Sequence, residues 1–85
     1  MEIQVFLHEP LHRCSQNKKI EQSNLTLIYS CGINVGELIE NLGISSRYIL
    51  LLKINKKVYK MNNTLINKSL IDGDYVELFP KMIGG

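Results

Sequence analysis

Two cysteines, Cys14 and Cys31, are all that this 85-residue chain holds, and they lack Cys-x-x-Cys spacing. Two histidines, His8 and His12, lie four apart with Pro10 between them, which speaks against a helical metal-binding pair. A zinc centre therefore has no support, and the cysteines read as ordinary thiols of a reducing compartment. Long basic runs are missing too. The formal charge of +2 comes from ten basic and eight acidic residues, and the longest basic stretches are Lys18-Lys19 and Lys56-Lys57. Neither makes the clustered stripe that a nucleic-acid partner requires. No apolar run approaches the length of a bilayer span, residues 48–52 being far too short, and residues 1–8 show no basic leader. The expectation is a soluble cytoplasmic protein with no membrane or nucleic-acid partner and no bound cofactor.

What is present is a core. Apolar residues form 45% of the chain and no low-complexity block interrupts them, which suits one domain burying about 60% of its unfolded surface. Residues 2–8 alternate, with Ile3, Val5 and Leu7 on one face and Gln4, Phe6 and His8 on the other, and predict a first strand. Pro10 ends it. Residues 11–24 are polar and read as a loop, with room for a helical turn at 11–14. Leu25, Leu27 and Tyr29 alternate with Thr26, Ile28 and Ser30 in a second strand returning beside the first.

Asn34-Val35-Gly36-Glu37 has the form of a capping box, and Val35, Leu38, Ile39 and Leu42 fall at i, i+3, i+4 and i+7. A helix of about two turns is predicted, stopped by Gly43 and too short to stand without a sheet beneath it. The continuous apolar run of residues 49–54 predicts a central strand buried on most of both faces. Asn55-Lys56 would turn the chain into a short Lys-flanked edge strand at 57–60. Residues 62–71 form an irregular crossover in which Leu65 and Leu70 plug the core. Asp72-Gly73-Asp74 is a turn, and it launches a last strand with Val76 and Leu78 on one face and Tyr75, Glu77 and Phe79 on the other. Pro80 closes that strand because it has no N–H for the ladder.

This order of elements describes an α+β roll, a mixed sheet of four to five strands with one helix on one face. The other face is left uncovered and carries Phe6 and Phe79, with Leu51 alongside if the first, third and last strands are neighbours. Such an apolar stripe suggests an interaction surface. The domain is expected over residues 1–80, with residues 81–85 a flexible tail. Six residues from Pro80 to Gly85 reach about 20 Å at full extension, enough to enter a partner's active site. Gly84-Gly85 offers a side-chain-free end, and its carboxylate is an anion at neutral pH able to attack an activated phosphate.

Residues 34–44, the run Leu70-Ile71-Asp72-Gly73-Asp74-Tyr75-Val76-Glu77-Leu78-Phe79-Pro80 and the terminal Gly84-Gly85 together resemble the ubiquitin-like β-grasp sulfur-carrier family. Its members include the small subunit of molybdopterin synthase and a thiamine-pathway relative. The resemblance implies a carrier with no catalytic residues of its own. A partner enzyme of the E1-like adenylating kind would use ATP to adenylate the Gly85 carboxylate, and sulfur from a donor protein would then convert it to a thiocarboxylate. The acceptor would be the large molybdopterin synthase subunit or a thiazole synthase. Phe79, Phe6, Leu51 and Pro80 would meet those partners, and Lys81, Met82, Ile83 and Gly84 would thread the terminus into them. Phe79-Pro80 resembles the molybdopterin branch. Lys81, where a second proline is usual, and the bulky Ile83 depart from it, which leaves open a thiamine carrier, a ubiquitin-like modifier or a plain β-grasp binding module.

Overall fold

The structure, a computed structural model, describes residues 1–9, 11 and 24–81. Alternation at the amino end produces β1 (Glu2–Leu7), whose Ile3, Val5 and Leu7 are buried while Glu2 and Gln4 face out. β2 (Asn24–Ile28) pairs with it antiparallel, with Ile3 opposite Leu27 and Val5 opposite Leu25. That register puts Leu25 and Leu27 on the face of Ile3 and Val5, half-buried against the core. The strand stops at Ile28, short of the predicted residue 30. The pair is closed there by the Met1 ammonium, which donates to the Tyr29 carbonyl at 2.8 Å, and by the Tyr29 N–H, which donates back to Met1 at 2.8 Å. The predicted loop lies for the most part outside the described residues. Within it Leu11 is fully buried.

The helix is α1 (Val35–Leu42), and both halves of its capping box are formed: the Glu37 N–H donates to Asn34 Oδ1 at 2.8 Å and the Asn34 N–H to Glu37 Oε1 at 3.1 Å. Its buried stripe is Val35, Leu38, Ile39 and Leu42. Gly43 ends it at φ 70°, a left-handed conformation that a side chain would strain. A 3-10 turn at Ser46–Tyr48 leads into β3 (Ile49–Ile54), and β4 (Lys57–Lys60) returns antiparallel to it. Asn55 and Lys56 join them with φ of 52° and 74°, the positive pair that a two-residue type I′ hairpin needs. A second 3-10 turn, Leu65–Asn67, lies in the crossover, where Leu65 and Leu70 are buried as core plugs. The last strand is β5 (Tyr75–Pro80).

The five strands run in the order β2-β1-β5-β3-β4, with β1 and β5 parallel and every other pair antiparallel. The central strand is therefore β5, not β3 as its apolar run suggested. β3 sits one place from the edge and is half solvated: Leu50 is 44% exposed and Leu51 is intermediate. A bulge between Ile49 and Leu51 sets two residue steps of β3 against the single step from Phe79 to Pro80, turning Ile49 into the core and Leu50 out of it. Continuous hydrophobicity here records a register change rather than burial on both sides.

One charged side chain among the described residues is buried, and it locks the end of the sheet at which β1 and β5 begin. Asp74 accepts from the Ile71 N–H at 2.9 Å and from the Asn55 amide at 2.8 Å. Asn55 in turn accepts from the Tyr75 N–H at 2.9 Å. The β3–β4 hairpin and the turn before β5 are thus fastened together at the point where Gly73 takes φ 87°. The same turn holds β1, since the Glu2 N–H donates to Asp72 Oδ1 at 2.6 Å and the Gly73 N–H to the Glu2 carbonyl at 2.8 Å. These bonds fix the direction in which β5 sets out towards the carboxyl terminus.

Candidate functional site

Period-two geometry sends Val76 and Leu78 of β5 into the core and leaves Tyr75, Glu77 and Phe79 on the opposite face. Because β5 is central, its outward residues have neighbours on both sides. Phe6 of β1 stands opposite Glu77, while β3 places Leu51 opposite Phe79 and Lys53 opposite Glu77. Phe6, Phe79 and Leu51, named from the sequence as one stripe, therefore share one surface, and each is only partly buried. No described element covers that surface. Pro80, named from the sequence with that stripe, does not join it: it has the parity of Val76 and Leu78 and stands opposite the buried Ile49, on the core side of β5.

The sequence reading placed His8 on this face but gave it no role, and it is the residue that links the stripe. Its ring stacks on Phe79 with centroids 4.0 Å apart and planes inclined by 19°, and meets the edge of Phe6 at 4.6 Å. Its Nε2 lies 3.0 Å from Glu77 Oε2, within hydrogen-bond reach. Lys53 completes the group, its Nζ 5.3 Å from the Phe79 ring centroid, close enough for cation–π attraction. The signal was present in the alternation Gln4, Phe6, His8. What the sequence could not supply was the parallel register of β1 with β5, which brings His8 beside Glu77 and Phe79.

The tail leaves from the same end of β5. Lys81 still takes part in backbone pairing, since its N–H donates to the Tyr48 carbonyl at 2.9 Å. A proline at this position could not make that bond. Met82, Ile83, Gly84 and Gly85, named from the sequence as tail and reacting terminus, lie outside the described residues, as do His12 and Cys14. Cys31 is exposed, and among the described residues no three metal-ligating side chains gather. No described helix is long and apolar enough to cross a membrane.

The fold and this end of it now meet comparison with known proteins. The sequence model of the ThiS family matches residues 15–85, more than four fifths of the chain and its whole carboxyl half. The chain belongs to the ThiS family. Two solved structures superpose over 100% of both chains. One is SAMP1 from Haloferax volcanii, with 15% identity and a TM-score of 0.65. The other belongs to a complex of subunits 1 and 2 of the molybdopterin-converting factor from Helicobacter pylori, with 21% identity and a TM-score of 0.58. At such identities the likeness is one of fold, and it establishes this ThiS-family chain as a ubiquitin-like β-grasp protein. Comparison with curated protein sequences gives no match. The ThiS-family match runs to Gly85, so the matched segment includes Gly84-Gly85.

Proposed function

We propose that this protein is a sulfur carrier whose reacting atom group is the Gly85 carboxylate. The observation that supports it most is the family match continuing through residue 85, on a fold whose central strand runs out at Pro80 and Lys81 into the tail. A carboxylate anion is a poor electrophile. A partner enzyme of the adenylating class removes that obstacle: a Gly85 oxygen attacks the α-phosphorus of ATP, pyrophosphate leaves, and the acyl carbon now bears AMP. Sulfide, or a donor persulfide whose S–S bond a thiol afterwards reduces, attacks that carbon. AMP departs and a thiocarboxylate remains.

In this reading the folded domain contributes no catalytic group. It presents the uncovered face of Phe6, His8, Leu51 and Phe79 to the partner, with Pro80 at the strand end beside it, and the tail enters the partner's channel. Glycine at residues 84 and 85 suits that passage because it brings no side chain. The acceptor we favour is the large molybdopterin synthase subunit, on the strength of Phe79-Pro80 and of a fold shared with a subunit of a molybdopterin-converting factor. A thiazole synthase is the second reading, favoured by Lys81, whose backbone bond to Tyr48 differs from what a second proline would allow.

ATP–pyrophosphate exchange tests the first step. An adenylating enzyme of this class should catalyse exchange only when the full chain is supplied, and the chain lacking Gly85 should give none. Equal exchange with and without Gly85 would remove the terminus from the reaction.

A further inference from the structure

Between Glu40 and Asp72 the chain carries six basic residues and no acidic one, and the fold gathers three of them along one edge of the sheet. That edge is β4, last in the strand order and paired with β3 alone. Lys57 and Lys60 flank it. Lys68 reaches it from the crossover, the ammonium groups of Lys57 and Lys68 lying over the Tyr59 ring at 5.5 Å and 5.2 Å from its centroid. We propose that this edge binds an extended acidic segment of a partner protein, which joins the five-stranded sheet as a further strand beside β4.

The main chain is ready to receive it. Ile54 and Lys57 close the two-residue hairpin, and the Met61 N–H donates to the Leu50 carbonyl at 3.3 Å, so Lys57, Tyr59 and Met61 turn their main-chain groups towards β3. Alternation turns those of Val58 and Lys60 away from the sheet. No described residue pairs with them there. An added strand finds in them the donors and acceptors of a new ladder.

Side chains set the preference. Lys57 and Tyr59 stand opposite the buried Ile54 and Leu52 and share the core side of the sheet, whereas Val58, opposite Lys53, is 55% exposed on the other side. Two depressions follow β4: Tyr59 and Lys68 line both, Lys60 borders one and Lys57 the other. Asp74 is the one carboxylate bordering either, and it is buried and already bonded to the Ile71 N–H and the Asn55 amide. The ammonium groups therefore have no anion of their own here. The matching segment alternates acidic residues, which meet Lys57 and Lys68, with apolar ones, which meet Val58.

Other occupants fit this edge less well. A second copy pairing β4 with β4 antiparallel would set Lys57 against Lys60, like charge on like charge. Residues 12–23 of the chain itself hold Arg13, Lys18 and Lys19 against Glu21 alone. A nucleic-acid strand stacks its bases on open rings, and Tyr59 is half-buried against the core with ammonium groups over its ring. Lysines on an edge also repel other edges, a role that uses Lys57 and Lys60 but gives no part to Lys68. Since β3 separates this edge from β5, the proposal goes beyond the sulfur-carrier reading and does not rest on it.

The probe is a capped peptide of about seven residues alternating Glu and Val, titrated into the isotope-labelled full chain, with a Lys–Val peptide of equal length as control. Nuclear magnetic resonance should show the Val58 and Lys60 amides shifted and slowed in hydrogen exchange by the acidic peptide alone. Combining Lys57→Glu with Lys68→Glu should weaken binding about tenfold or more, and raising salt from about 0.05 to 0.5 M should weaken it in the wild type. Val58→Pro removes an outward N–H without touching the β3 ladder and should abolish binding. Far-ultraviolet circular dichroism checks that each variant folds, and the lysine variant decides alone if Val58→Pro does not. Failure of the acidic peptide to bind, equal binding of the Lys–Val peptide, or unchanged affinity in the folded lysine variant overturns the proposal. So does acidic-peptide binding that leaves the Val58 and Lys60 amides unprotected. Protection of those amides by oligothymidylate, or by self-association of the chain without peptide, gives the edge to a nucleic acid or a second copy and overturns it equally.

Discussion

Leu78 and Phe79 are adjacent on β5, yet one is fully buried in the core and the other is half exposed on the uncovered face. Their truncations should therefore separate stability from recognition. Leu78→Ala opens a cavity in a close-packed core and is expected to cost about 2–5 kcal/mol in chemical denaturation. Phe79→Ala loses a stacking partner of His8 and should cost stability far less, while weakening the adenylating partner's binding by about tenfold or more, as an aromatic anchor at the centre of an interface does. Parallel denaturation and binding titrations decide it. Equal losses of stability in the two variants would mean that Phe79 is core. Phe6, Leu51 and Phe79 were legible as a shared face because alternation alone assigns faces within a strand. The role of His8 was not, since its contacts with Phe79 and Glu77 span about seventy residues and depend on which strand lies beside β1.

Among the elements, α1 and the β3–β4 hairpin were legible because their signals are local. The Asn34 and Glu37 pair specifies its own two hydrogen bonds, and Gly43 its own left-handed stop. Asn34→Ala should destabilise the fold by about 1 kcal/mol by leaving the first-turn amide of Glu37 without its side-chain acceptor. In the hairpin, Lys56 is held at φ 74°, a conformation that a Cβ disfavours. Lys56→Gly should raise the denaturation midpoint, by an amount on the order of 1 kcal/mol, because relief of that strain exceeds the added entropy of the unfolded chain. A lowered midpoint would show that the lysine side chain contributes contacts of its own. β3 was misjudged as central for a related reason: its apolar run is interrupted by a bulge, and a bulge leaves no mark in composition. Leu50 looks like a core residue in sequence and is exposed in the structure because the register shifts beneath it.

At the scale of the whole molecule, the sheet has one face covered by α1 and another that no described element covers, and β5 runs through its centre. The α+β roll with one helix was legible because the order of elements leaves few ways to bury every apolar stripe at once. The strand order was not, because parallel pairing of β1 with β5 joins the two ends of the chain and no local pattern encodes it. Placing β5 in the middle gives the tail a firm base, and the Lys81 bond to Tyr48 carries that anchorage one residue past Pro80. Removing Gly85 should leave the thermal midpoint unchanged, since it deletes none of the described core or strand residues.

The central claim concerns one atom at the terminus, and intact-mass measurement of the chain reads it most directly. After incubation with an adenylating enzyme, ATP and a sulfur donor, the account predicts replacement of one oxygen by sulfur, confined to the carboxyl-terminal fragment and absent from the chain lacking Gly85. An unchanged mass under conditions that support pyrophosphate exchange, or sulfur found equally on the shortened chain, would contradict it.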